Sequence, residues 1–246
     1  MKSKILVLQH VDWRNPGRFL LNLANKLSVE LQIVKSWKEP IPQGNDFDAL
    51  ILLGGVVSGS EKENRALFEK ETDFLTKWLL LDKPCLGFCL GHQAMLEAFQ
   101  AKTTPNFVNS IGFIDGHLTH DGRLHPLFKG FDPTFSLFKW HTHAIQTPVP
   151  PNYILLATSS DCVVEAFTIK GRPHIIGLQF DNHAAHPDDI RRWLQSDKDW
   201  LNSLSLGKTY GDELLKDAER SRKKNQQIFT KLISNFISQI KDTKRN

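Results

Sequence analysis

The sequence predicts an α/β fold: a mostly parallel central sheet with helices on both faces, followed by a C-terminal helical extension. Three observations carry this. Short apolar runs alternate with amphipathic stretches through the N-terminal part of the chain, the order of a parallel sheet with crossover helices. Several of the runs are apolar at consecutive positions, as strands covered on both faces require. The last helical stretch carries an apolar stripe that must cover something. The element order divides the 246 residues into a domain over 1–195 and a helical extension over 196–246 that packs on it.

KILVLQ (4–9) is the first buried strand. Pro16 and Gly17 then open RFLLNLANKL, where Phe19, Leu20, Leu23, Ala24 and Leu27 share one helical face. VELQIVK (29–35) alternates and reads as a strand, and DALILLGG (48–55) is a buried strand ending in two glycines. EKENRALFEKETDFLTKWLLLD is a long helix, PCLGF (84–88) a fourth strand, and GHQAMLEAF a helix. After about residue 105 the alternation gives way to short strand-like runs, IGFIDGHLT, TFSLFKW, YILLATS, CVVEAFTI and HIIGLQF. These predict additional, partly antiparallel strands that complete the same domain. DDIRRWLQ is helical again, and after Gly207 a long helix carries Ile228, Phe229, Leu232, Ile233, Phe236, Ile237 and Ile240 as its apolar stripe.

With 40% hydrophobic and 24% charged residues, the composition is that of a folded globular chain rather than a disordered one. The net charge of +4 is concentrated in RSRKK and KDTKRN, which read as a solvated helix face and a frayed end, so no nucleic-acid partner is expected. No run approaches the roughly 18 apolar residues of a membrane span, and the apolar run before Gln9 is too short for a signal-peptide core. The three cysteines, Cys85, Cys89 and Cys162, have no paired spacing, which argues for a reducing compartment. A cytoplasmic protein with no membrane association is the expectation.

GFCLGHQ (87–93) sits between a predicted strand and a predicted helix. A cysteine at such a turn presents its sulfur beside the N–H groups that start the helix, and that positive end favours thiolate over thiol. Gly87 and Gly91 allow a tight turn and a close approach of helix to strand. Cys89 is thus the candidate nucleophile, in the manner of the strand-turn-helix elbow that exposes serine in α/β-hydrolases, while Cys85 and Cys162 read as small buried hydrophobes. A thiolate attacking a carboxamide needs donors for the developing oxyanion. The N–H groups of Leu90 and Gly55 are the candidates.

GFCLGHQ resembles the G-x-C-x-G-x-Q elbow of class I glutamine amidotransferases. The likeness extends to LQHVDWRNPGRF, LLGG, FKWHTHAI and GLQF followed by IRRWL, nearly the full chain, in the order of the stand-alone relatives of the GMP synthetase glutaminase domain. It implies the flavodoxin-like fold of that family with a helical C-terminal extension. It also implies that Cys89 forms a γ-glutamyl thioester as ammonia leaves, and that Gln93 and His141 in WHTH help to shape the glutamine pocket. Two departures stand near the site: Val56 replaces the family's proline after the two glycines, and His143 replaces its usual acidic residue after W-H-x. Neither a cofactor nor a metal is expected, because His141-x-His143 has no supporting ligand spacing. His10 reads as a strand-end residue near the pocket rather than a catalyst.

In the family the base follows GLQF as histidine, any residue, glutamate. Here the types are inverted: Asp181 follows Phe180, and His183 lies two further on. Three readings stand open. In the first, His183 serves Cys89 and Asp181 orients it, with the loop rearranged to exchange their places. In the second, His186 is the base and Asp188 its orienter, although Asp188 also suits a helix start. In the third the triad is broken, and a carboxylate near Cys89 raises the thiol pKa. Two residues of extended chain displace a side chain by roughly 6–7 Å, so His183 takes the family's base position only if the loop differs.

The expected activity is hydrolysis of the γ-carboxamide of glutamine, or of a γ-glutamyl compound, through a cysteine thioester. No phosphate-binding loop is present to activate an acceptor. Ammonia would therefore pass to a separate synthetase, or the enzyme would act as a γ-glutamyl peptidase. The alternative from another class is a pseudoenzyme that keeps the fold to bind a ligand or partner.

Overall fold

The computed structural model of the protein describes residues 2–55, 61–98, 101–145 and 147–243, with backbone only for 61–68. Its strands are β1 (Ser3–Gln9), β2 (Val29–Lys35), β3 (Ala49–Leu52), β4 (Cys85–Phe88), β5 (Thr103–Leu118), β6 (Thr134–Ile145), β7 (Tyr153–Ser159), β8 (Ala166–Ile169) and β9 (Arg172–Leu178). The helices are α1 (Gly17–Lys26), α2 (Glu61–Leu80), α3 (Leu90–Glu97), α4 (His120–Leu124), α5 (Pro187–Ser196), α6 (Lys198–Ser203) and α7 (Tyr210–Thr243). The strands form one mixed sheet in the order β2-β1-β3-β4-β9-β8-β7-β5-β6. Pairing is parallel from β2 through β9 and antiparallel from β9 through β6. The parallel half has the 2-1-3-4-5 arrangement of flavodoxin-like sheets.

The period of two along each strand sorts the core into two layers. Ile5, Val7, Ala49, Ile51, Leu86 and Phe88 face a cluster completed by Phe19, Leu20 and Leu23 of α1 and by Ile190 and Trp193 of α5. Their neighbours Leu6, Leu8, Leu50, Leu52 and Cys85 face the other side, where Leu75, Trp78 and Leu79 of α2 and Met95 and Leu96 of α3 complete the packing. Helices therefore cover both faces.

The antiparallel half curls back on the parallel half. Its last strand, β6, meets the chain just after β9. The Asp181 N–H donates to the Phe138 carbonyl at 2.7 Å. The Asn182 side chain continues the ladder, accepting from the Phe138 N–H at 2.7 Å and donating to the Ser136 carbonyl at 2.9 Å. An amide side chain here does what the backbone of a further strand would do.

Several elements differ from the sequence reading: β8 covers only Ala166–Ile169 of CVVEAFTI, and β6 runs on to Ile145, beyond TFSLFKW. β5 begins eight residues before IGFIDGHLT, because the polar, proline-containing TTPNFVNS pairs with the end of β6 through a register shift between Pro105 and Ser110. α4 forms where Thr119 accepts from the Gly122 N–H as an N-cap, in a segment with no apolar period. α6 is a separate short helix between α5 and α7. Phe99, which the sequence places at the end of the elbow helix, lies outside the described residues.

α7 packs its stripe on the domain. Phe229, Leu232, Ile233, Phe236, Ile237 and Ile240 join the same cluster as α1 and α5, while Arg222, Lys223 and Lys224 face solvent. Phe229 stacks on Phe19 at 6.3 Å and lies 6.4 Å from Phe88. Phe229→Ala is expected to cost about 3–5 kcal/mol of unfolding free energy. Lys216→Ala on the exposed face is expected to stay within about 0.5 kcal/mol. Chemical denaturation of the two variants beside the wild type measures both.

Candidate active site

Four segments leave the carboxyl ends of neighbouring parallel strands and converge: 10–14 after β1, 53–55 after β3, 89–93 after β4 and 179–183 after β9. In open α/β sheets this edge is where ligands bind, because helix N-termini and loop N–H groups collect there. The sequence candidates fall largely into these segments.

Cys89 stands at the turn between β4 and α3 with φ 47° and ψ −104°, a conformation that a non-glycine residue adopts only when its surroundings impose it. Its N–H donates to the Leu178 carbonyl at 2.8 Å, and its carbonyl accepts from the Gln93 N–H at 3.0 Å, so both sides of the turn are held. The two glycines permit the packing that does the holding. A Cβ on Gly91 would lie 2.5 Å from Leu52 Cβ, and one on Gly87 would lie 2.7 Å from Gly91. The sulfur is nearly buried. Burial pushes the thiol pKa up, and the Asp181 carboxylate pushes it further; the Arg14 and Lys139 charges and the Leu90 N–H work in the opposite direction without prevailing. The sequence reading has the helix end favouring thiolate; the Leu90 N–H acts in that direction, while burial and the Asp181 carboxylate act against it more strongly.

Gln93 lies one turn into α3 and donates to the His143 carbonyl at 3.1 Å and to Gln179 Oε1 at 3.3 Å. Gln179 in turn places its Nε2 3.7 Å from the Cys89 sulfur. The sequence reading includes GLQF but assigns Gln179 no role. A signal for it exists: Gln179 continues the alternation of Ile175 and Gly177 one residue past the end of β9, where a polar side chain meets the elbow.

The carboxylate and imidazole of the inverted motif keep their order in space. Asp181 faces the cysteine: a methyl on Gly54 would lie 2.8 Å from Asp181 Oδ1 and 3.4 Å from Cys89 Cβ. His183 lies behind it, with Nε2 3.3 Å from Asp181 Oδ1 and Nδ1 3.2 Å from the Pro16 carbonyl. Its ring is enclosed by Phe88 at 4.8 Å and Trp193 at 6.2 Å. The contacts of Asp181 and Asn182 with β6 hold this backbone, so Asp181 rather than His183 is brought to the elbow. His186 is not brought to Cys89 either. Its Nδ1 accepts from the Asp188 N–H at 3.1 Å as the N-cap of α5, and its ring packs on Phe19 at 5.5 Å. Asp188 is turned outward, paired with Arg18 at 3.1 Å and Arg191 at 2.8 Å.

Gly55 borders the elbow, since a Cβ there would meet Leu90 at 2.7 Å and His10 at 2.8 Å. Its carbonyl accepts from Arg14 Nη1 at 3.0 Å. Val56, the departure beside it, lies outside the described residues. Arg14 is 1% exposed and forms a buried pair with Asp197 at 2.9 Å. Asp197 also accepts from the indoles of Trp13 at 2.8 Å and Trp140 at 2.9 Å. His141 is buried on β6, where desolvation and the neighbouring Lys139 charge hold its pKa well below the ordinary value. Lys139 itself is buried against Glu165 and lies 3.5 Å from Asp161. Among the described residues no group of three or more His, Cys, Asp or Glu could hold a metal ion.

His10 packs against Gly55 and pairs with Glu71 of α2 at 3.0 Å. Burial depresses the imidazole pKa, but the Glu71 carboxylate outweighs it and holds the value above the ordinary one. This pair should therefore add stability that is fully present below about pH 6.5 and is lost as pH rises through the higher folded value. The excess unfolding free energy of wild type over Glu71→Gln should be largest near about pH 6 and shrink by about pH 9. Denaturation curves of both proteins at the two pH values measure it.

A parallel sheet edge with a strained cysteine at a strand–helix elbow defines a protein of the nucleophile-elbow class. The chain belongs to the class-I glutamine amidotransferase family, whose sequence pattern matches residues 18–191. A glutamine-hydrolyzing GMP synthase subunit from Methanococcoides burtonii is 34% identical over 109 residues, 44% of this chain and 54% of that protein. Its counterpart from Archaeoglobus fulgidus, of the same description, is 27% identical over 160 residues, 65% of this chain and 79% of that one. The chain thus spans about half the length of the first of these relatives. The fold agrees with the crystal structure of a glutamine amidotransferase from Thermotoga maritima, at a TM-score of 0.83 and 21% identity over 96% of this chain and 99% of that one. Among the described residues no helix is long and apolar enough to cross a membrane.

Proposed function

We propose that this member of the family hydrolyses the γ-carboxamide of glutamine or of a γ-glutamyl compound, with Cys89 as nucleophile and a γ-glutamyl thioester as intermediate. The observation that carries the reading is the backbone of Cys89. A positive φ at a cysteine costs energy, and here hydrogen bonds from both flanking elements keep it in place. The thioester forms when sulfur attacks the γ-carbonyl carbon. The N–H groups of Leu90 and Gly55 are the donors proposed for the oxyanion, and Gln93, Gln179 and His141 are the proposed walls of the pocket. Released ammonia goes to water or to a separate synthetase, the second option drawing support from relatives described as subunits of GMP synthase.

One observation favours a second reading, a pseudoenzyme that binds a ligand or partner through the same fold. A carboxylate rather than an imidazole stands beside the thiol, and burial with that carboxylate raises the thiol pKa. The two readings separate on turnover. Wild type is expected to release ammonia or amine from a panel of L-glutamine, γ-glutamyl dipeptides and γ-glutamyl anilides, and to yield γ-glutamyl hydroxamate when hydroxylamine is present. Cys89→Ala should lower turnover more than about 10³-fold. No turnover of any amide in the panel, by wild type that binds the same compounds, would establish the pseudoenzyme.

A further inference from the structure

We infer that Asp181, and not a histidine, carries the proton for Cys89, with His183 in contact behind it. The inference rests on the reading of Cys89 as nucleophile.

Place comes first. Asp181 Oδ1 and Cys89 Cβ flank the same point above Gly54. Asp181 is wholly buried, and its Oδ2 has no hydrogen-bond partner among the described residues. A buried carboxylate oxygen left without a donor is costly, and this one lies on a carboxylate whose charge acts on the Cys89 thiol. His183 cannot exchange places with Asp181. The backbone at 181–182 is fixed to β6, and the imidazole is enclosed by Phe88 and Trp193. A Cβ on Gly17 would lie 2.2 Å from the His183 carbonyl, so α1 closes over the loop from the other side.

Behind Asp181, the two ring nitrogens of His183 face the Pro16 carbonyl and Asp181 Oδ1. The charges that face the thiol besides Asp181 are Arg14 and Lys139.

The chemistry then balances with Asp181 as carrier. The thiol proton passes to Asp181 as sulfur bonds to the γ-carbonyl carbon, and the carbonyl π pair becomes the oxyanion pair. On collapse that pair re-forms C=O and the C–N bond breaks. The electron pair of that bond stays on nitrogen, which takes the proton from Asp181 and leaves as ammonia or free amine. Water then attacks the thioester carbon and gives its proton to Asp181. The C–S bond breaks, the proton returns to sulfur, and the γ-carboxylic acid is released.

The test reads two quantities that move in opposite directions. Asp181→Asn, close to isosteric, removes the charge that opposes thiolate formation. Iodoacetamide alkylation of Cys89, followed by peptide mass at about pH 8, should then be about three- to tenfold faster than in wild type. Turnover of the best amide from the panel should fall by about 10²- to 10⁴-fold, the usual contribution of a positioned acid–base group. Asp181→Ser should behave in the same way and serves if the Asn variant does not fold. Wild-type turnover with either folded variant retaining it within threefold would overturn the assignment of Asp181 while leaving the hydrolase reading intact. Slower alkylation in both variants would also overturn it. Absence of wild-type turnover would overturn both readings together.

Discussion

The site depends on how the chain after β9 is attached to β6. β9 joins the parallel and antiparallel halves of the sheet, and its last residues must pass from the sheet centre to α5 without leaving backbone groups unpaired. The Asp181 N–H and the Asn182 side chain solve this by hydrogen bonding to Ser136 and Phe138. That attachment closes the curl of the sheet and also decides which side chain faces the elbow. The carboxylate of Asp181, rather than the imidazole of His183, is therefore the group that borders the elbow.

Ionisable groups are gathered at this edge in partnered sets: His10 with Glu71, Arg14 with Asp197, Lys139 with Glu165, and His183 with Asp181. Each joins segments distant in sequence except the last. Removing a charge from water is expensive, and a partner offsets the cost only when geometry and further hydrogen bonds are good. Asp197 meets that condition, accepting from Arg14 and from two indoles. Breaking such a pair leaves a buried charge without its counter-charge, which is strongly destabilising. Arg14 further ties the segment after β1 to the Gly55 carbonyl after β3.

The parallel half was legible because its signals are local. Consecutive apolar residues in 4–9, 48–53 and 84–88 and glycines at the strand ends specify buried strands and close-packed helices, and the same locality exposed Cys89 at its turn. The apolar stripe of α7 was readable for the same reason. The start of β5 was not, since TTPNFVNS is held by pairing with β6 rather than by its own pattern. The positions of Asp181 and His183 were equally out of reach. Their residue types are plain in the sequence, but their orientation follows from Asn182 bonding to residues more than forty positions away. His186 shows the converse: a histidine that reads as a candidate base is occupied locally as a helix cap.

The C-terminal helix has a bearing on the chemistry that its distance in sequence conceals. Phe229 lies against Phe88, and Phe88 lies against the imidazole of His183. Phe88 thus lies between Phe229 of the helix and the imidazole, and α7 also packs directly against the turn that carries His183. The extension works as electrical insulation: it adds apolar cover around a buried carboxylate and imidazole, where a dry surround strengthens their electrostatic coupling. A chain ending before Tyr210 would keep every residue of the elbow and yet uncover Phe88, the ring that lies against His183.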